Sequence, residues 1–211
     1  NLAAISTVLI ASLLGQPTLF TPLQLLSVNL IADGPPAMSL GVDPPERGVM
    51  ERKPRATDAS ILPASRVARL VFVGLVMAAG TLLVYFLAED EWGPEVALSM
   101  AFAVFVIYQM FNSFNARRER GTVFTRYAFT NRVLWASILG VIALQLLITQ
   151  WGPAQRLFDT TGLTLPQWGI CVGVATTVIW AEEARKIVFR LLRRDSSDAP
   201  AAPATTGGAQ R

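Results

Sequence analysis

No histidine occurs among the 211 residues, and Cys171 is the only cysteine. The first absence removes imidazole catalysis, histidine metal ligation and histidine proton relays. The second excludes an intrachain disulfide and a cysteine-based metal site. Cys171 lies within an apolar run and reads as a small buried hydrophobe. Charge is also scarce. Asp, Glu, Lys and Arg make up 16% of the chain, against roughly 25% in soluble domains. No Gly-rich phosphate loop of the Walker type is present. The start lacks a charged region and a small-residue cleavage site, so the first apolar segment is not a signal peptide. Asn1 to Ala4 reads instead as the middle of a helix, as expected of a fragment or of a chain read from an internal point.

What the chain has is apolar length. Hydrophobic residues account for 52% and mean hydropathy is +0.44. A membrane-spanning helix needs about 20 apolar residues. Six candidate spans follow: Leu2–Leu14, Leu23–Leu40, Val67–Leu87, Val96–Phe114, Leu134–Gln150 and Trp168–Trp180, the last continuing as an amphipathic stretch to Leu192. The expected fold is all-α, a polytopic membrane bundle of six transmembrane helices over residues 1–194. Residues 195–211 are low-complexity and expected to form a disordered cytoplasmic tail. Alternation of six spans places every one of the 18 Lys and Arg residues except Arg156 on one side. That side is expected to be cytoplasmic, with the C-terminus inside. Glu89, Asp90, Glu91 and Glu95 fall opposite. The basic pI of 9.5 therefore reflects topology, and nucleic acid is not expected as a partner. Trp92, Trp151 and Trp168 fall at outer interfaces, where aromatic belts form. Gly169 and Gly173, four apart, offer a close helix-packing face or ordinary small-residue packing.

One polar insert interrupts the apolar pattern. Asn29 and Asp33 stand four apart on one helix face, and Gly34, Pro35 and Pro36 follow directly. A carboxylate inside a membrane-length segment is costly and marks a functional site unless it is paired for packing. Proline removes backbone N–H donors and breaks the helix, which frees carbonyl oxygens beside the two side chains. Oxygen ligands of this kind suit a hard cation such as Ca²⁺. The plainer alternative is a proline-kinked helix whose aspartate pairs with a neighbour.

The stretch from Thr21 to Ala37, continuing to Asp43-Pro44-Pro45-Glu46, resembles the sixth transmembrane helix of P-type cation-transporting ATPases, most closely calcium pumps of the P2 class. Met50 to Arg55 resembles the family's short cytoplasmic loop, Met100 to Asn115 its eighth helix, and Ala181 to Arg190 the end of its tenth. The resemblance covers family helices five to ten. It implies that Asn29 and Asp33 are sixth-helix cation ligands, with Asp33 as the central carboxylate, and that Asn1 takes the place of a fifth-helix asparagine ligand. Gln109 stands where two-site pumps have an eighth-helix glutamate, and it is a further candidate ligand or an interhelical hydrogen bonder. Ala4 and Ala32 replace the glutamate and threonine of those pumps. These departures make the pattern similar to plasma-membrane-type pumps, which carry one calcium per cycle. By the same resemblance, Asp43, Glu46 and Arg47 transmit movement from a phosphorylation domain, unless the loop is a solvated connector, and protons return when the cation leaves.

The family's Asp-Lys-Thr-Gly and Thr-Gly-Glu-Ser motifs and its nucleotide pocket do not occur in this sequence. The resemblance thus implies Ca²⁺ as transported ion, with ATP and Mg²⁺ handled only by domains elsewhere. The implied partners are the lipid bilayer and an N-terminal half holding helices one to four and the actuator, phosphorylation and nucleotide domains. Mn²⁺, Mg²⁺ or Na⁺ are alternative ions, since oxygen ligands alone do not separate them. A stand-alone membrane scaffold or regulatory remnant without transport is the competing reading. The expected location is the plasma membrane, and the Ala/Arg-rich composition points to a bacterial source.

Overall fold

The computed structural model describes residues 2–16, 18–42, 64–117 and 130–197, with the side chains of Ser65 and of 189–197 not described. Asn1, the Asp43–Arg47 loop, the Met50–Arg55 motif and most of the tail lie outside the described residues. Within them the structure is helical and contains no strand. In chain order come α1 (Leu2–Leu13), α2 (Pro22–Ser27), a π turn (Val28–Ala32), α3 (Gly34–Gly41), α4 (Ala64–Trp92), α5 (Pro94–Arg117), α6 (Arg132–Gln150), α7 (Gly152–Phe158), α8 (Leu165–Ala175) and α9 (Thr177–Ser197).

All six apolar stretches fall on helical segments. Among the described residues three helices are long and apolar enough to cross a membrane: Arg66–Trp92, Pro94–Arg117 and Arg132–Gln150. The others are shorter or divided. The second stretch is α2, the π turn and α3 in series, and the sixth is split at Thr176 between α8 and α9. Helices of this length and hydropathy are those of an integral membrane protein.

Helix α5 is the centre of the bundle. It packs against α3, α4, α6, α8, α9 and the π turn. Its sequence explains this, because every residue from Ser99 to Met110 is buried, and a helix apolar on all sides belongs inside. Gly93 alone joins α4 to α5, at φ +86°, a left-handed conformation open to glycine at little cost. Pro94 then takes the first helical position, where a missing N–H costs nothing. Helix α4 meets α5 closely at Gly80. A Cβ there would run into the hydroxyl and ring of Tyr108, and that hydroxyl bonds Thr177 Oγ1 at 2.7 Å. One glycine thus lets α4, α5 and α9 converge.

Of two further expectations, one holds. Cys171 is fully buried, with Sγ 3.6 Å from the Met100 carbonyl, as its apolar setting suggested. Among the described residues Gly169 and Gly173 form neither a close-packing face nor small-residue packing inside the bundle. Both are exposed, and an added Cβ at either meets nothing within 4 Å.

Candidate cation-binding site

The site-bearing segment starts with a capping box. Thr21 Oγ1 accepts the Gln24 N–H at 3.3 Å, and Gln24 Oε1 accepts the Thr21 N–H at 3.1 Å, so two orphan donors of the first turn are satisfied reciprocally. Helix α2 then runs only to Ser27 before the hydrogen-bond ladder widens. The Asp33 N–H donates to the Val28 carbonyl, five residues back, at 2.9 Å. Such π turns are rare and gather at functional sites. Gly34 starts α3 with Pro35 and Pro36 in its first turn. Neither proline brings an N–H to the carbonyls of Ile31 and Ala32, the acceptors four residues earlier. The chain is continuous through the break, since the Ala37 N–H reaches the Asp33 carbonyl at 3.0 Å. The break foreseen at Gly-Pro-Pro is therefore preceded by a π turn that contains Asn29 and is closed by Asp33.

The candidate ligands have different surroundings. Asp33 is half-buried, and Asn29 is exposed between exposed Leu26 and Leu30. Gln109 is buried on α5, against which the π turn packs. Asn1 lies outside the described residues. Ala4 and Ala32 are both buried, so neither position has ready room for the larger oxygen-bearing side chain of a two-site pump. Helix α1 makes its extensive contact with α4, whereas the π turn packs on α2, α3, α5 and α6. Among the described residues no group of three or more His, Cys, Asp and Glu could hold a metal. The oxygen donors gathered at the break are one carboxylate, one carboxamide and main-chain carbonyls, fewer than the 6–8 oxygens that calcium takes.

Two features escaped the sequence reading. Where α4 begins and α5 ends, Glu182 on α9 is fully buried beneath cations. Arg69 Nε of α4 lies 2.6 Å from Oε1, Arg185 Nη2 lies 2.7 Å from the same oxygen, and Arg185 Nε lies 2.9 Å from Oε2. Burial raises the Glu182 pKa, but the Arg185 hydrogen bond and the charges of Arg69, Arg185 and Lys186 outweigh it, leaving the carboxyl below its ordinary value. Arg69 Nη2 also donates to the Asn115 carbonyl at 3.3 Å, so α4, α5 and α9 share one polar knot. The signal in the sequence was a glutamate set among basic residues at a helix end. The second feature is a pair of buried amides, Gln24 and Asn131. Gln24 Nε2 donates to the Phe158 carbonyl and Asn131 Nδ2 to the Ser39 carbonyl, each at 2.8 Å.

Residues 17–188 match the family model described as "Cation transporting ATPase, C-terminus". The chain belongs to this family. It is 30% identical over 200 residues to calcium-transporting ATPase type 2C member 2 of Rattus norvegicus, covering 94% of the chain and 21% of that protein. It is 32% identical over 192 residues to calcium-transporting ATPase type 2C member 1 of Homo sapiens, covering 90% and 21%. It is 34% identical over 178 residues to a calcium-transporting ATPase of Bacillus subtilis (strain 168), covering 83% and 20%. The chain thus spans about a fifth of the length of these curated relatives.

Proposed function

We propose that this chain is the C-terminal membrane part of an ATP-driven calcium pump, and that Asn29 and Asp33 supply cation ligands from the broken helix. The observation that carries the reading is Asp33 itself, a carboxylate held at the junction of a π turn and a Gly-Pro-Pro helix start. The names of the relatives support calcium as cargo. Gln109 serves as a neutral neighbour of the site from α5, and Asn1 completes the donor set from the helix before. One calcium is carried per cycle, because Ala4 and Ala32 offer no oxygen for a second.

The exposed Asn29 favours a pump over a scaffold. A carboxamide left in hydrocarbon without a hydrogen-bond partner costs several kcal/mol, so this face is completed by helices from the N-terminal half. That half also hydrolyses ATP, with Mg²⁺, in its cytoplasmic domains. The pump sits in a bacterial plasma membrane with its C-terminus in the cytoplasm.

The test is calcium-dependent phosphorylation of the complete protein by ATP in membrane vesicles, wild type beside Asp33→Asn. Phosphorylation activated by micromolar calcium in the wild type and lost in the variant is expected. Normal calcium activation in Asp33→Asn would remove Asp33 from the site. Activation by Mn²⁺, Mg²⁺ or Na⁺ alone would change the cargo, and activation by no cation would favour the scaffold.

A further inference from the structure

The broken helix is held at both of its ends, and by the same chemistry. At its start, Gln24 is 2% exposed, and at its finish Ser39 meets Asn131, which is 4% exposed. Each amide is used twice. Gln24 Oε1 closes the capping box of α2 while Nε2 reaches the Phe158 carbonyl. Asn131 Oδ1 caps α6 by accepting the Leu134 N–H at 2.9 Å, while Nδ2 reaches the Ser39 carbonyl. The anchor points lie at opposite ends of one strut. Asn131 stands at the start of α6, whose 19 residues extend about 28 Å at 1.5 Å per residue. Phe158 ends α7, which follows α6 and packs on it. Both acceptors are carbonyls in the last turn of a short helix, where no intrahelical donor is available. Between the two tethers lie the soft parts of the segment: the π turn, Asp33 and the two prolines.

We infer that Gln24 and Asn131 are positioning residues for the cation site, which tie the ends of the broken helix to the α6–α7 strut so that Asp33 stays at a fixed depth. With its ends pinned, the segment changes shape only internally, at the π turn. Cation affinity then depends on two hydrogen bonds that touch neither the ion nor its ligands. The inference rests on the cation-site reading above.

The experiment separates the cap from the tether within each amide. Gln24→Glu keeps the acceptor of the capping box and loses the donor to Phe158. Gln24→Met is a neutral companion that loses both. Asn131→Ser keeps a capping oxygen and is too short to reach Ser39, and Asn131→Asp keeps cap and length should the serine variant fail to fold. Ser137→Ala, a half-buried position whose hydroxyl bonds the Val133 carbonyl of its own helix, is the control. In the complete pump, calcium-activated phosphorylation by ATP is titrated against calcium, alongside the melting temperature. The half-activating calcium concentration should rise roughly 2- to 10-fold in the tether variants, the equivalent of one neutral hydrogen bond. Maximal phosphorylation should stay near wild type, and so should the melting temperature except in Gln24→Met, which also gives up the capping box. An unshifted half-activating concentration in folded variants overturns the inference. So does a loss of melting temperature and of phosphorylation level without a shift, which is what a purely structural bond would give. A wild type activated by no cation ends both this inference and the pump reading, whereas an activated wild type with unshifted variants ends only the tether.

Discussion

Replacing Glu182 with glutamine tests the polar knot that joins α4, α5 and α9. The carboxylate has no exposed surface, and it holds three short contacts to two guanidinium groups. Glutamine keeps one acceptor oxygen and turns the other into a donor that faces Arg69 or Arg185. At least one contact is lost outright, and the survivors lose their charge assistance. Each charge-assisted hydrogen bond contributes about 1.5–3 kcal/mol, and breaking a buried pair from one side costs about 3–5 kcal/mol. The arginines are 18% and 20% exposed, so water recovers part of this, and about 2–3 kcal/mol remains. Arg69→Gln removes one of the three contacts to Glu182 together with the bond to the Asn115 carbonyl, and should cost about half as much. Because the two residues share the contact, Arg69→Gln with Glu182→Gln together should cost clearly less than the sum of the singles. The assay is thermal unfolding of the protein in detergent for the two singles and the double. A Glu182→Gln variant within about 0.5 kcal/mol of wild type, the range of ordinary surface changes, would refute the reasoning.

Acid should weaken the same knot. The folded carboxyl of Glu182 lies below its ordinary 4.5, so its stabilising contribution is complete above that pH and is lost as pH falls through the folded value. Melting temperatures measured from pH 7 downward should show this loss in wild type, and Glu182→Gln should lack that component. Gly80→Ala drives a methyl into Tyr108 and should cost about 1–3 kcal/mol by overpacking, read as a lower melting temperature. Tyr108→Phe added to it should recover only part, because the ring also stands close to Gly80. Ala4→Glu should lower stability without adding a second transported calcium, since it buries a carboxylate and leaves Ala32 unchanged. Counting calcium bound per phosphorylated pump checks this.

The helical bundle was legible in the sequence because membrane spans announce themselves by length and hydropathy alone. The central role of α5 was not, although the run from Ser99 to Met110 has few polar breaks. Which span lies innermost depends on packing partners that a single stretch does not name. At the site, Asn29, Asp33 and the prolines stood out through their chemistry. The π turn did not, because Gly-Pro-Pro signals a break without specifying the ladder that leads into it. Gln24 and Asn131 were hidden for a different reason. An amide in an N-terminal turn has a sufficient local explanation as a cap, and its second bond joins residues 134 and 92 positions apart. Glu182 was overlooked because its basic neighbours were read for topology rather than for pairing.

The π turn also makes residue count matter in a way that residue identity does not. An α-helix turns by about 100° per residue, so each added or removed position re-aims everything downstream. Leu30 and Ile31, inside the widened turn, could exchange one apolar side chain for another with little effect. Deleting either would let the ladder close to the ordinary spacing and rotate Asp33, Gly34 and the two prolines together away from Asn29. In this stretch of the chain an apolar exchange is tolerated and a deletion is not.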